Sequence, residues 1–472
     1  MNAPLYNTLK EYYAKGTVPF HMPGHKLGKG LPEEFRSSLA AFDATEIPGL
    51  DNLHHSTGVI MQAQKAAARA FGAERTFFLV NGSTCGIYAM ISSICKQGDS
   101  LIVARDCHKS VIAGMLLAGV KPVYILPEFD SRFGIATAIT AEELEKALLA
   151  NPEAAGVLLT RPSYYGICCD IEKAASIVHS HNKLLAVDEA HGAHLKFHDA
   201  LPMCAMDAGA DICVQSAHKT LPALTQGAYL HVKSDRIDME KLEYSLSLYQ
   251  TSSPSYILMA SLDIARDMME REGHALLEGI LNSIKKSKAD SFKNEAFTLI
   301  DHNSIAKFKT DPTRIAVNTG GAGLTGYKAE RELLHTYHLQ VEMSDLFNIV
   351  CIATVADTPD TISYLFDCLE KLCSSCTGSF NPMDGLLKPN TFINSQQMEF
   401  REVIQAESEW IALDKAAGRI SKGIIAPYPP GIPAVCPGEV ISPEVTAYIF
   451  SILRAGGCVN GLKDNLEINV IT

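Results

Sequence analysis

Lys219 stands in Gln215-Ser216-Ala217-His218-Lys219-Thr220, between the apolar runs ICVQ and LPALTQ. Most lysines are solvated, but among apolar neighbours an amine loses water, and desolvation disfavours its ammonium form. A lowered pKa is what an amine needs to attack a carbonyl. Asp188 ends the apolar run Leu184-Leu185-Ala186-Val187 and precedes Glu189-Ala190-His191-Gly192. A partly buried carboxylate there needs a partner: a protonated pyridine nitrogen, a metal or a structural arginine. Asp188 to His191 also spells a helicase box, but the chain has no GxxxxGK[ST] phosphate loop, so that reading falls. Asn81-Gly82-Ser83-Thr84 follows TFFLV and opens the helical pattern CGIYAMISSIC. Backbone N–H groups at a helix start, two hydroxyls and a permissive glycine suit a phosphate dianion. Ser and Thr are also ordinary helix caps. His108, in Asp106-Cys107-His108-Lys109-Ser110 after SLIVA, offers a ring that could lie on a planar ligand or cap a helix.

These groups need a scaffold that gathers strand ends. Short apolar runs predict strands at 76–80, 100–104, 122–126, 156–160, 184–187, 212–215 and 228–232, with amphipathic helices such as 141–150 and 171–181 between them. That alternation predicts an α/β layer structure with a largely parallel sheet. Ligands of such sheets bind beyond the carboxyl ends of the strands, where each of these groups falls. Lys219 follows Asp188 by 31 positions, room for one helix between two neighbouring strands. A long helix is expected from Pro254, then strands at 298–300 and 349–353, then a proline-rich loop at 426–439. Three parts are expected: an N-terminal segment (1–50), a large α/β domain (51–290) and a smaller C-terminal α+β domain (291–472).

The 472 residues carry a net charge of −12, which argues against a nucleic-acid partner and mildly favours cationic ligands. Thirteen scattered cysteines do not form a disulfide framework, and the single CxxC, Cys373 to Cys376, has no second pair at metal-site spacing. No metal is expected. The start of the chain lacks the apolar core of a secretion signal, and no uninterrupted apolar run of ~18 residues would span a membrane. The expectation is a cytoplasmic protein without a membrane partner.

Taken together, HMPGHK (21–26), TEIPGLDNLHH (45–55), FFLVNGST (77–84), DCHKS (106–110), VDEAHGAH (187–194) and QSAHKTLPALTQ (215–226) resemble the Orn/Lys/Arg decarboxylase family. QTSSPSY (250–256) and PYPPGIP (427–433) extend the likeness, which runs in order over nearly the whole chain. The length resembles the shorter bacterial members, without the extra receiver-like domain of the long inducible forms. The resemblance implies a fold-type I pyridoxal-phosphate enzyme of the aspartate-aminotransferase kind. Such an enzyme has a mostly parallel seven-stranded sheet flanked by helices and a smaller C-terminal α+β domain. It also implies a homodimer or higher homo-oligomer that releases CO2 from arginine, lysine or ornithine.

By position, Lys219 matches the lysine that carries the cofactor, Asp188 the acid paired with the pyridine nitrogen, and His108 the ring-stacking histidine. Ser83, Thr84, Ser216 and His218 match phosphate-side positions. Thr251 and Ser252 match a segment that reaches the phosphate from the other subunit. His191 lies near ring and substrate, where long members often carry tryptophan, and is a candidate proton donor beside Lys219. A basic substrate also needs a carboxylate at its distal cation. Glu439, after the proline-stiffened loop, is the expected one, with a solvated loop glutamate as the alternative. An aminotransferase or lyase on the same scaffold would share the phosphate, Asp and Lys sites. A catalytically silent regulatory paralogue would be expected to lack Lys219 or Asp188, and both are present.

Overall fold

A computed structural model describes residues 2–291, 296–376, 393–428 and 431–472. Its central sheet has seven strands: β1 (Arg75–Leu79), β2 (Ser100–Ala104), β3 (Lys121–Ile125), β4 (Gly156–Thr160), β5 (Leu184–Asp188), β6 (Ile212–Gln215) and β7 (Ala228–Val232). Their spatial order is β1-β7-β6-β5-β4-β2-β3, with β7 antiparallel to both neighbours and every other pairing parallel. The expected largely parallel sheet is therefore present, with two of the predicted strands displaced by one residue. Continuous apolar runs form these strands because helices cover both faces. Along β2, Ile102 enters one core while Leu101 and Val103 enter the other.

One expectation is corrected. No α-helix joins β5 to β6; the crossing is irregular apart from a single 3-10 turn, Leu195–Phe197. A buried carboxylate holds this crossing. Glu189 accepts from Arg161 Nη1 at 3.1 Å, Ala205 N at 2.9 Å and Gln215 Nε2 at 2.7 Å. Pro202 and Gly209, the latter at φ +93°, interrupt any helical run through the segment.

The helix Tyr256–Asp290 spans 35 residues, and its buried stripe serves two cores. Met259, Leu262, Ala265, Met269 and Leu277 join the large-domain core, while Ile280 and Ile284 join the next. That core lies against an antiparallel sheet of β8 (Thr298–Ile300), β9 (Arg314–Asn318), β10 (Met343–Ser344) and β11 (Asn348–Ile352), in the order β8-β9-β11-β10. A fourth core gathers residues from Tyr327 to Val470 around the helix Pro443–Arg454. Near the N-terminus, Val18–Phe20 pairs in parallel with Leu339–Val341, so the first segment is stitched to the C-terminal half. Pro429 and Pro430 of the PYPPGIP run lie outside the described residues. Among the described residues no helix is long and apolar enough to cross a membrane.

Candidate active site

The carboxyl ends of β1, β2, β4, β5 and β6 open into a cavity of about 370 Å³, closed on its other side by residues of the C-terminal half. Ser83, Thr84, His108, Asp188, His191, Ser216, His218 and Lys219 all line it. The helix Gly82–Ile94 starts at its wall, and the N-cap residue Asn81 gives the helix no side-chain cap. Asn81 Oδ1 instead accepts from Thr251 N at 3.1 Å, leaving first-turn N–H groups for a ligand. Gly82 sits at φ +74° with open space around it, and Ser216 Oγ donates to Ser83 Oγ at 2.8 Å. Asp188 is buried, and its Oδ1 accepts from Ala190 N at 3.1 Å.

Lys219 lies on the short helix Ala217–Thr220, and burial lowers its pKa to about 8 against the opposing pull of Asp188. Its Nζ is 3.0 Å from His191 Nε2. On the other side of that ring, Arg314 Nη2 lies 3.0 Å from His191 Nδ1. An arginine only donates, so Nδ1 is the acceptor and the neutral ring carries its proton on Nε2. Burial and the neighbouring Lys219 and Arg314 hold the His191 pKa well below its ordinary value, so neutral is its form. The Nε2–H then meets the Lys219 lone pair whenever that amine is uncharged. Giving up that proton would leave an imidazolate, so the geometry turns His191 from a proton donor into the group that orients the amine.

His108 caps a helix, one of the two roles the sequence allowed, and also lines the cavity. Its Nδ1 accepts from Ser110 N at 3.2 Å, capping the helix Lys109–Ala118, while the ring faces the cavity. Burial, with Lys219 next, drives its pKa down to about 3. His218 Nδ1 donates to Gly227 O at 3.0 Å, and burial lowers its pKa to about 4.

Three expected positions are not cavity residues. Thr251 and Ser252 are exposed at the surface beside Asn81, outside the wall of their own chain's cavity. Glu439 requires a correction: it is neither solvated nor open to a substrate. It is fully buried, ion-paired with Arg105 at 3.1 Å and bonded by Asn394 Nδ2 at 3.0 Å and Cys436 N at 2.8 Å. Donors from three residues already occupy its carboxylate.

Residues that the sequence did not single out complete the site. Tyr164 packs edge-on to His191, with ring centroids 4.6 Å apart, and its hydroxyl donates to Glu342 at 3.0 Å. Tyr165 lines the cavity from the loop after β4, and Tyr327, Asp345 and Tyr448 line the C-terminal wall. Arg314 and Asp345 sit in β9 and in the β10–β11 turn, and only the tertiary fold brings them here. The turn residues Asp345-Leu346-Phe347-Asn348 between two apolar runs were a legible hairpin signal, though not a functional one.

Comparison with known proteins agrees with this geometry. Residues 3–313 match the family model for the Orn/Lys/Arg decarboxylase major domain, and residues 387–465 match that for its C-terminal domain. An arginine decarboxylase of Bacillus anthracis is 38% identical over 474 residues, covering 98% of this chain and 95% of the relative. One of Bacillus subtilis is 37% identical over 471 residues, covering 98% and 96%. The solved constitutive lysine decarboxylase of Escherichia coli superposes with a TM-score of 0.77 at 19% identity, covering 99% of this chain and 82% of that one. The fold is that of fold-type I pyridoxal-phosphate enzymes.

Proposed function

Because the chain belongs to the Orn/Lys/Arg decarboxylase family, and is thus an amino-acid decarboxylase acting on basic substrates, we propose that it uses pyridoxal phosphate to decarboxylate arginine. The choice of arginine is supported by the two Bacillus relatives, whose names carry that substrate. The observation that carries the reading is Lys219, an amine lowered to about 8 and held at His191, in the cavity that Asp188 and the uncapped helix start also line.

The residues present fit the cofactor. Lys219 would hold it covalently and Asp188 would pair with its ring nitrogen. His108 would lie against the ring, and Ser83, Thr84, Ser216 and His218 would hold the phosphate. When bound, pyridoxal phosphate supplies an electron-poor π system for the electrons of the breaking Cα–carboxylate bond. Asp188, buried and without a cationic partner in direct contact among the described residues, favours a protonated nitrogen opposite it. Tyr164, Tyr165 and the C-terminal wall bound the cavity and would orient the scissile bond. The proton that replaces CO2 would come from the ammonium form of Lys219 Nζ, which becomes the neutral amine 3.0 Å from His191 Nε2.

We further propose a homodimer in which Thr251 and Ser252 complete the partner's phosphate site. Thirteen cysteines without a pairing pattern support a reducing, cytoplasmic setting. The test is to incubate the holoenzyme separately with arginine, lysine and ornithine, measuring amine and CO2 together. Stoichiometric agmatine and CO2 from arginine is the expected result. A keto acid without CO2 would turn the reading to transamination, and faster turnover of lysine or ornithine would displace arginine.

A further inference from the structure

The cavity is lined by three carboxylates, and the chemistry above uses one. Asp188 serves the ring nitrogen. Asp106, at the end of β2 beside His108, belongs to the sheet side, and burial raises its pKa to about 6. Asp345 belongs to the opposite domain, in the turn between β10 and β11. It is partly exposed, and the cavity is where it shows.

The hydrogen bonds of Asp345 define what it can still accept. Oδ1 accepts from Phe347 N at 2.7 Å, Asn348 N at 2.8 Å and Asn348 Nδ2 at 3.0 Å. Oδ2 accepts from Tyr165 Oη at 2.6 Å and shares Asn348 Nδ2 at 3.0 Å. Every partner donates, so the turn is built around the ionised form. These four donors are all neutral, so among the described residues no cation in contact balances the Asp345 charge. Tyr327 and Tyr448 line the same wall, with Leu346, Phe347 and Ile452 supplying apolar surface. A carboxylate whose charge no cation balances, amid phenols and apolar groups, suits a cation that has left water.

We infer that the Asp345 carboxylate balances the distal cation of the substrate, flanked by the Tyr327 and Tyr448 phenols. This rests on the reading that the substrate is a basic amino acid. It assigns Asp345 the role that the sequence gave to Glu439. A hairpin-capping role alone would explain the Oδ1 bonds, but not a carboxylate left open to the cavity.

The test separates charge recognition from turnover. Binding of agmatine and of its neutral urea counterpart, N-carbamoylputrescine, is measured by calorimetry on holoenzyme. Cadaverine and 1-aminopentane form a second pair. In the native enzyme the ligand with a distal cation should bind roughly tenfold to a hundredfold tighter than its partner with a neutral distal end, the range of one charge-assisted hydrogen bond. Asp345→Asn should bring both ratios close to one, while Asp106→Asn leaves them intact. Ratios that persist in Asp345→Asn, or collapse only in Asp106→Asn, overturn the assignment. Should Asp345→Asn not fold, Tyr165→Phe decides. It frees Oδ2 without touching the turn's backbone bonds and must change the ratios; unchanged ratios overturn the assignment. If native enzyme releases no CO2 from any basic amino acid while the ratios behave as stated, the decarboxylase reading falls and the cation site stands.

Discussion

At Lys219 burial and charge pull in opposite directions. Loss of water lowers the amine pKa, the Asp188 and Glu342 carboxylates raise it, and the balance near 8 is set with Arg314 pulling down. At pH 7 that leaves roughly a tenth of the lysine as free amine, a few hundredfold more than an ordinary lysine offers. The first prediction concerns its identity as the anchor: Lys219→Ala should capture no cofactor that borohydride can fix, and should have no turnover. Finding the reduced adduct on another lysine by peptide mass would remove Lys219. The second concerns Arg314, which acts through His191 rather than on substrate. Arg314→Met removes a positive charge and frees Nδ1, so the ammonium form of Lys219 gains ground and its pKa rises. The pH profile for cofactor capture by apoenzyme, followed by absorbance, should move upward by on the order of one unit. Arg314→Lys should return part of the shift. A profile that stays in place would reduce Arg314 to a structural role.

Among the elements, the proline-rich loop is clamped to β2 by a buried pair rather than aimed at substrate. Arg105 reaches Pro433 O at 2.6 Å and Glu439 at 3.1 Å, both side chains out of solvent. Removing one partner strands the other charge, so Glu439→Gln should cost about 3 kcal/mol of stability, read as a lower midpoint in denaturant. Its KM for arginine should be unchanged; a tenfold rise without loss of stability would restore the substrate role. The HMPGHK run is a clasp of the same kind. Buried Lys26 donates to Pro19 O and Ile352 O, and Gly24 N donates to His218 O at 2.7 Å, tying the first segment to the Lys219 loop. A Cβ on Gly24 would lie 2.6 Å from Leu221 O, which explains the glycine. Strands 100–104, 156–160, 212–215 and 228–232 were readable to the residue, because burial on both faces writes an unbroken apolar run. The link from β5 to β6 was not, because Glu189 holds it through contacts distant in sequence. Arg314 escaped for a related reason: RIAVN reads only as a strand, and nothing local shows that its arginine reaches a histidine 123 positions earlier.

For the whole molecule, the surface around the site is unfinished. The helix Pro4–Ala14 buries none of its residues, and Leu5, Leu9 and Tyr13 stand exposed. Tyr244 and Leu248 are likewise uncovered on the helix Met239–Tyr249, which leads directly to Thr251 and Ser252. Apolar surface of this kind favours association, and a two-fold axis would set the same patch of both copies together. The Thr251 backbone is fixed, its N bonded to Asn81 Oδ1 at 3.1 Å and its O to His54 Nε2 at 2.8 Å. The Thr251 and Ser252 hydroxyls thus leave the chain on a held backbone, outside their own cavity. If they complete the other subunit's phosphate site, two differently damaged chains should repair one another. Lys219→Ala and a Thr251→Ala/Ser252→Ala double variant should each be inactive or weak alone. After unfolding and refolding together, half of the dimers are hybrids, each with one intact site, so activity should return to roughly a quarter of native. A plain mixture that never exchanges subunits should stay inactive. Co-refolded hybrids, proved by mass yet inactive, would confine the whole site to one chain and leave Thr251 and Ser252 as part of a helix approach.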